Sequence, residues 1–271
     1  MSLRMREFIF AIVICVGFSS SSVFGIVLDF ETEDDFVTPL VNGQIVDPVF
    51  DPVDIEFGNF VDIYSTKIGG GSGHLGVTVF DSTIEGINSG GEDHDLMVGL
   101  GNILVLQNNA HSATTLDATY GLCYDKPNDE AGSNDAGSIV FDFLTPVELH
   151  SIDLIDIDGG VTALLTITDN NGKQRVYDVG EHWTTDITVS GDGWETLDLT
   201  TTLAQAGDNG GGPAVVILDE AGFDRFSVVS LDVAFTGRSP SAALDNLAFV
   251  PEPATIALLG LGLIFIRKRK S

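Results

Sequence analysis

Basic residues are scarce in this 271-residue chain: 12 Lys and Arg stand against 40 Asp and Glu, a formal net charge of -28. A body of that charge repels nucleic acid and anionic membranes, which excludes both as its partners. Cysteine is scarcer still. Its two residues, Cys15 and Cys123, exclude a disulfide scaffold and a thiolate zinc site. Nine prolines form no Pro-rich linker, and no fixed-period repeat occurs, so one domain is expected rather than two. No stretch of twelve or more residues has convincing helical periodicity, Leu197 to Ala206 being the best weak candidate. With 44% hydrophobic and 19% charged residues, the chain is neither disordered nor polytopic.

What is present instead is a series of short, alternating, β-branched segments separated by Gly, Asn and Asp clusters. They cover residues 26–30, 76–80, 103–106, 138–143, 149–157, 161–168, 174–179, 195–199, 226–235 and 244–250. Leu164-Leu-Thr-Ile-Thr168 alternates as a half-buried strand should, and Asp169-Asn-Asn-Gly172 supplies a hairpin turn. Ten or more strands over residues 26–250 predict an all-β fold, an antiparallel two-sheet sandwich of jelly-roll type. The loops at 82–102 and 108–137 are long enough to carry binding sites.

The two ends read as addresses. Arg4 and Arg6 precede an apolar run from Phe8 to Phe18 and a small-residue stretch ending Val23-Phe-Gly25, the pattern of a signal peptide over residues 1–25 with a helical core. At the other end, Val250-Pro251-Glu252-Pro253 precedes a 13-residue apolar run, Ala254 to Ile266, expected as a short hydrophobic helix. Thirteen residues fall below the roughly 17 to 25 of a stable transmembrane helix. Arg267, Lys268, Arg269 and Lys270 then act as a basic stop that stays cytoplasmic. These three parts, residues 251–271, resemble the PEP-CTERM sorting signal of exosortase-bearing Gram-negative bacteria. The resemblance implies that Pro251, Glu252 and Pro253 form the recognition motif. It also implies transient holding in the inner membrane, and a membrane transpeptidase of exosortase type as partner. Between the addresses the body keeps six basic residues and 38 acidic ones, a net charge of -32.

Within the body, Phe80-Asp-Ser82, Asp93-His-Asp-Leu96, Asn102-Ile-Leu104, Pro127 to Gly132, Gly137 to Phe143 and Leu154 to Asp158 follow in order. This succession resembles a β-sandwich domain of secreted bacterial proteins, similar in shape to galactose-binding-like carbohydrate modules. The resemblance implies fold and location, and no activity.

Chemistry is sparse. Gly69-Gly-Gly-Ser72-Gly-His74 offers a serine and a histidine without the rigid turn and third residue of a triad, and reads as a loop. Cys123, between Leu122 and Tyr124, reads as a small buried hydrophobe. The five histidines show no metal-ligand spacing. No local pair of carboxylates marks a glycosidase. No catalytic residue is expected.

Calcium suits Asp/Asn/Gly loops because it takes six to eight oxygens. Three groups qualify: Glu31 with Asp245 on the first and last strands; Asp93, Asp95, Asp129, Glu130 and Asp135 in the long loops; and Asp156-Ile-Asp158-Gly159, which reads as a turn. The resemblance to carbohydrate-binding sandwiches implies a structural calcium tying the terminal strands. A solvated acidic surface is the competing reading for all three. Sugar recognition would need aromatic platforms, for which Trp183 and Trp194 are the candidates. The expected protein is a non-enzymatic, exported surface or extracellular-matrix protein. A calcium-dependent carbohydrate-binding module is the alternative, and a secreted polysaccharide hydrolase a third.

Overall fold

A computed structural model describes residues 25–51, 57–67, 75–83, 86, 88, 94–108, 113–129, 137–185, 193–208, 212–237 and 241–252. The signal segment, Ser72 and His74, Asp93, Glu130, Asp135, Pro253 and the basic stop Arg267 to Lys270 lie outside the described residues. Among the described residues there is no helix, so the weak helical pattern at 197–206 does not become one.

Thirteen strands form among the described residues: β1 Ile26–Leu28, β2 Val61–Lys67, β3 Val77–Asp81, β4 Asn102–Leu106, β5 Thr114–Asp117, β6 Gly121–Tyr124, β7 Gly137–Ile155, β8 Val161–Asp169, β9 Gln174–Val179, β10 Trp194–Asp198, β11 Ala214–Asp219, β12 Val228–Gly237 and β13 Ala243–Pro251. All named pairings are antiparallel, and β5–β6 stands apart as a hairpin. β7 organises the rest. Its first half, residues 137–143, runs between β2 and β12; its second half, residues 147–155, lies along β13 and β10. The two halves, foreseen as separate strands, are one 19-residue strand with Leu144 and Thr145 exposed at the crossing. Pro146 has no N–H to give a ladder there, which suits a strand passing from one layer to the other.

The layers are therefore β11-β9-β8-β12-β7-β2 and β10-β7-β13-β4-β3, with β1 added to β13. Their inner faces make one core. Phe141 and Phe143 alternate inward with Ile139, and meet residues of the other layer: ring centroids lie 5.3 Å apart for Phe143–Phe249 and 6.5 Å for Phe30–Phe141. β8 shows the cleanest alternation, with every odd residue from Val161 to Asp169 buried.

A second apolar cluster covers the outer face of the second layer. Ile155 and Ala243 point away from the main core and are capped by Leu96, Met97 and Val98, with Trp194 packed alongside. Part of the long 82–102 connection is thus a lid on the sheet. Gly99 N donates to Ser82 O, and Ser82 N donates to Gly101 O, which pins it down.

Six basic side chains cannot neutralise 38 carboxylates, and the buried ones find other donors. Asp34 Oδ2 accepts from the backbone N–H groups of Gly58, Asn59 and Phe60, and its Oδ1 accepts from the Asn59 amide. Asp47 accepts from Val49 N, Ser65 N and the Ser65 hydroxyl. Such charge-assisted bonds fasten Asp34 and Asp47, which lie outside the strands, to β2 and the residues just before it.

Candidate cation-binding face

On β13, Leu244 and Leu247 both enter the main core although they are three residues apart, which a regular strand forbids. A bulge between Asp245 and Ala248 resolves the conflict, with Asn246 at φ 48°. Bulges re-aim side chains, and this one sits where the acidic groups meet. Asp245 stands directly opposite Asp153 of β7, and Asp153 opposite Thr196 of β10, so the three form a row across three strands. Like charges directly opposed destabilise a sheet unless something neutralises them.

The side chains act on that conflict. The Asn246 amide donates to Asp153 Oδ2 at 2.8 Å and to Asp245 Oδ2 at 3.0 Å, while the Thr196 hydroxyl donates to Asp153 Oδ1 at 2.5 Å. Asp245 Oδ1 is left buried with no hydrogen-bond partner, in a residue only 1% exposed. Just past the end of β1, and so not on a strand as expected for Glu31, Phe30 (φ 54°) sends its ring into the core while Asp29 and Glu31 are exposed. Glu31 Oε1 accepts from Asn102 N at 2.9 Å. Burial pushes the Asp245 carboxyl up to about 8; the Asn246 N–H opposes this, and the charges of Asp153, Asp29 and Glu31 add to it. Glu31 and Asp245, paired from the sequence, thus bear on one another electrostatically. Asp153, Asp29 and Asn246 join them without having been foreseen. The cross-strand register that brings Asp153 in has no local signature.

Three residues beyond Asp153, Asp156 (φ 59°) is the centre of a second group. The Ser241 hydroxyl lies 3.1 Å from Asp129 Oδ1 and 3.4 Å from Asp156 Oδ2. Burial, then the charges of Asp129, Asp95 and Asp158, push Asp156 up to about 10, against the Ser241 hydrogen bond. Asp95 and Asp129, read as one calcium candidate, and Asp156 with Asp158, read as a turn, therefore belong to a single cluster. As the side chains stand, no three His, Cys, Asp or Glu among the described residues converge closely enough to hold a metal ion.

Gly101 controls the place of Glu31. Its φ is +97°, and a Cβ there would lie 1.8 Å from Glu31 Oε1. Gly101→Ala should strain the backbone and push Glu31 off the Asn102 N–H, at about 1–2 kcal/mol. Urea unfolding measures this, and an unchanged midpoint contradicts it.

Trp183 does not serve as an exposed platform. It is 1% exposed within the main core, so no sugar can stack on its face. Trp194 is half-buried against the second cluster on β10. Cys123 is half-buried on β6 rather than buried. An open groove lined by Gly159, Gly160, Glu181, His182 and Gly237 offers one carboxylate, where glycoside hydrolysis calls for two.

These features define an antiparallel, sandwich-like β protein rich in buried carboxylates, whose last strand runs into Pro251 and Glu252. Residues 249–270 match the family model of the PEP-CTERM protein-sorting motif. That motif implies processing by an exosortase, with export and sorting to the cell surface. No curated protein matches the chain. Among solved structures, the solution structure of CtCBM11 is similar at 13% identity and a TM-score of 0.30, over 86% of this chain and 98% of that one.

Proposed function

We propose that this is a non-enzymatic surface or extracellular-matrix protein. It is exported by its signal peptide and held transiently in the inner membrane by the C-terminal helix. Its body is a jelly-roll, galactose-binding-like sandwich. The observation carrying this reading is the sorting-motif match at 249–270, which starts at the end of the last strand of an acidic β body. Replacing Pro251, Glu252 and Pro253 by alanine in the producing bacterium should leave the unprocessed chain in the membrane fraction and deplete the surface. An unchanged distribution between fractions refutes the sorting role.

The same reading gives the outer face a structural calcium. The orphaned Asp245 Oδ1, with Asp153, Asp29 and Glu31 bearing on it, fits a divalent cation by donor chemistry. Asp245 and Glu31 would hold it and so tie β13 to the segment following β1. A bound cation would supply the positive charge that the opposed Asp245 and Asp153 lack. A carbohydrate-binding role in the extracellular polysaccharide is the second reading, and Trp194, beside Glu195 on β10, is the aromatic residue that supports it.

A further inference from the structure

The sorting motif begins inside the folded body. Pro251 pairs with Val147 of β7, and Glu252 N donates to Pro146 O at 2.9 Å. Pro253 alone separates Glu252 from the apolar run starting at Ala254. One residue spans at most about 3.6 Å, so the sequence holds no spacer between the last strand and the apolar run. The body's other end lies at the same corner, because Ile26 pairs with Phe249.

That corner carries exposed apolar side chains. Leu144, two residues from Pro146, is 50% exposed at the crossing of β7, and its N–H donates to Phe60 O at 3.0 Å. The Phe60 ring lies 5.9 Å from that of Phe36, which is 49% exposed, and Val37 beside it is 78% exposed. Phe36 has φ 59°, a left-handed conformation that an aromatic residue seldom adopts. The turn is held by Asp35 Oδ1, which accepts from Val37 N and Thr38 N. A strained backbone thus presents an aromatic ring to water beside the tail's point of exit.

We infer that Phe36, Val37 and Leu144 form a surface on which the body rests against the lipid bilayer that holds the tail. This rests on the sorting-tail reading above. Three exposed apolar side chains bind a bilayer weakly alone, but a tether of one residue makes the contact intramolecular. The net charge of -32 selects zwitterionic lipid over anionic lipid.

The test uses the full chain with Cys15→Ser and Cys123→Ser, reconstituted into phosphatidylcholine vesicles containing nitroxide-labelled lipid. Single cysteines at Val37→Cys, Leu144→Cys, Ile217→Cys on edge strand β11, or Leu259→Cys in the tail carry an environment-sensitive fluorophore. Labels at 37 and 144 should be blue-shifted and quenched about threefold more than the label at 217, less so when phosphatidylglycerol is added. A quenched label at 259 with unquenched labels at 37 and 144 overturns the resting surface and leaves the tail reading standing. An unquenched label at 259 overturns both. Blue-shifted labels at 37 and 144 that lipid nitroxides do not quench mean that protein covers the patch, and also overturn it.

Discussion

Asp34→Ala should destabilise the body by about 3–5 kcal/mol, lowering the melting temperature by about 10 °C. The Asp34 carboxylate accepts three backbone N–H groups and one side-chain amide, and is itself buried. Removing it orphans donors at residues 58–60, each costing about 1–3 kcal/mol when left without a partner. Asp34→Asn keeps an acceptor oxygen but loses the charge, and should cost roughly half as much. Thermal or urea unfolding of the three proteins ranks them. A loss under about 1 kcal/mol for Asp34→Ala would mean that water replaces the carboxylate and that the staple is dispensable. The effect should reach the proposed bilayer-facing corner too, because Asp34 adjoins the turn bearing Phe36 and Val37.

The second large effect is an alkaline loss of stability that calcium reverses. Asp245 and Asp156 have folded-state pKa values raised to about 8 and about 10, above the ordinary carboxylate value of 3.8. The folded chain therefore holds more protons than the unfolded chain above about pH 4. Their contribution is whole below that pH. It falls by at most about 1.4 kcal/mol per pH unit for each group, and the Asp245 share is lost once the pH has passed about 8. Asp169 runs the other way. Burial pushes its carboxyl up, but the N–H groups of Asp224, Lys173 and Asn171 more than reverse this, so its contribution is present above 3.8 and lost as the pH falls. In chelator the melting temperature should peak between about pH 4 and 6.

Calcium binds ionised carboxylates, so it should add little at pH 5 and restore stability at pH 8. At a hundredfold excess over Kd the gain is about 2.7 kcal/mol. Asp245→Asn should flatten much of the alkaline slope and remove the calcium response. Superimposable profiles of melting temperature against pH, with calcium and with chelator, would eliminate the structural calcium. They would leave the proton as the neutralising partner of the Asp245–Asp153 pair.

Much of this protein is decided locally. Period-two alternation at 161–168 or 138–143 specifies strands because side chains of a strand point to opposite faces whatever surrounds it. The excess of carboxylates and the Pro-Glu-Pro tail are likewise properties of the chain itself. Strands with little alternation escaped this reading. β2 buries only Val61 and Ile63, β5 is exposed throughout, and the edge strand β11 buries only Ala214. The site is the opposite case. Asp153 and Asp245 are 92 residues apart and meet because β7 and β13 pair in one register; Asp129 and Asp156 meet because Ser241 arrives between them. Trp183, one of two candidate platforms, lies in the core; its Gly/Asp/Thr surroundings say nothing about which layer closes over it. Pattern along the chain determined that this is an acidic all-β body with a sorting tail. Pairing between distant strands, where one bulge re-aims each side chain beyond it, decided which carboxylates face one another.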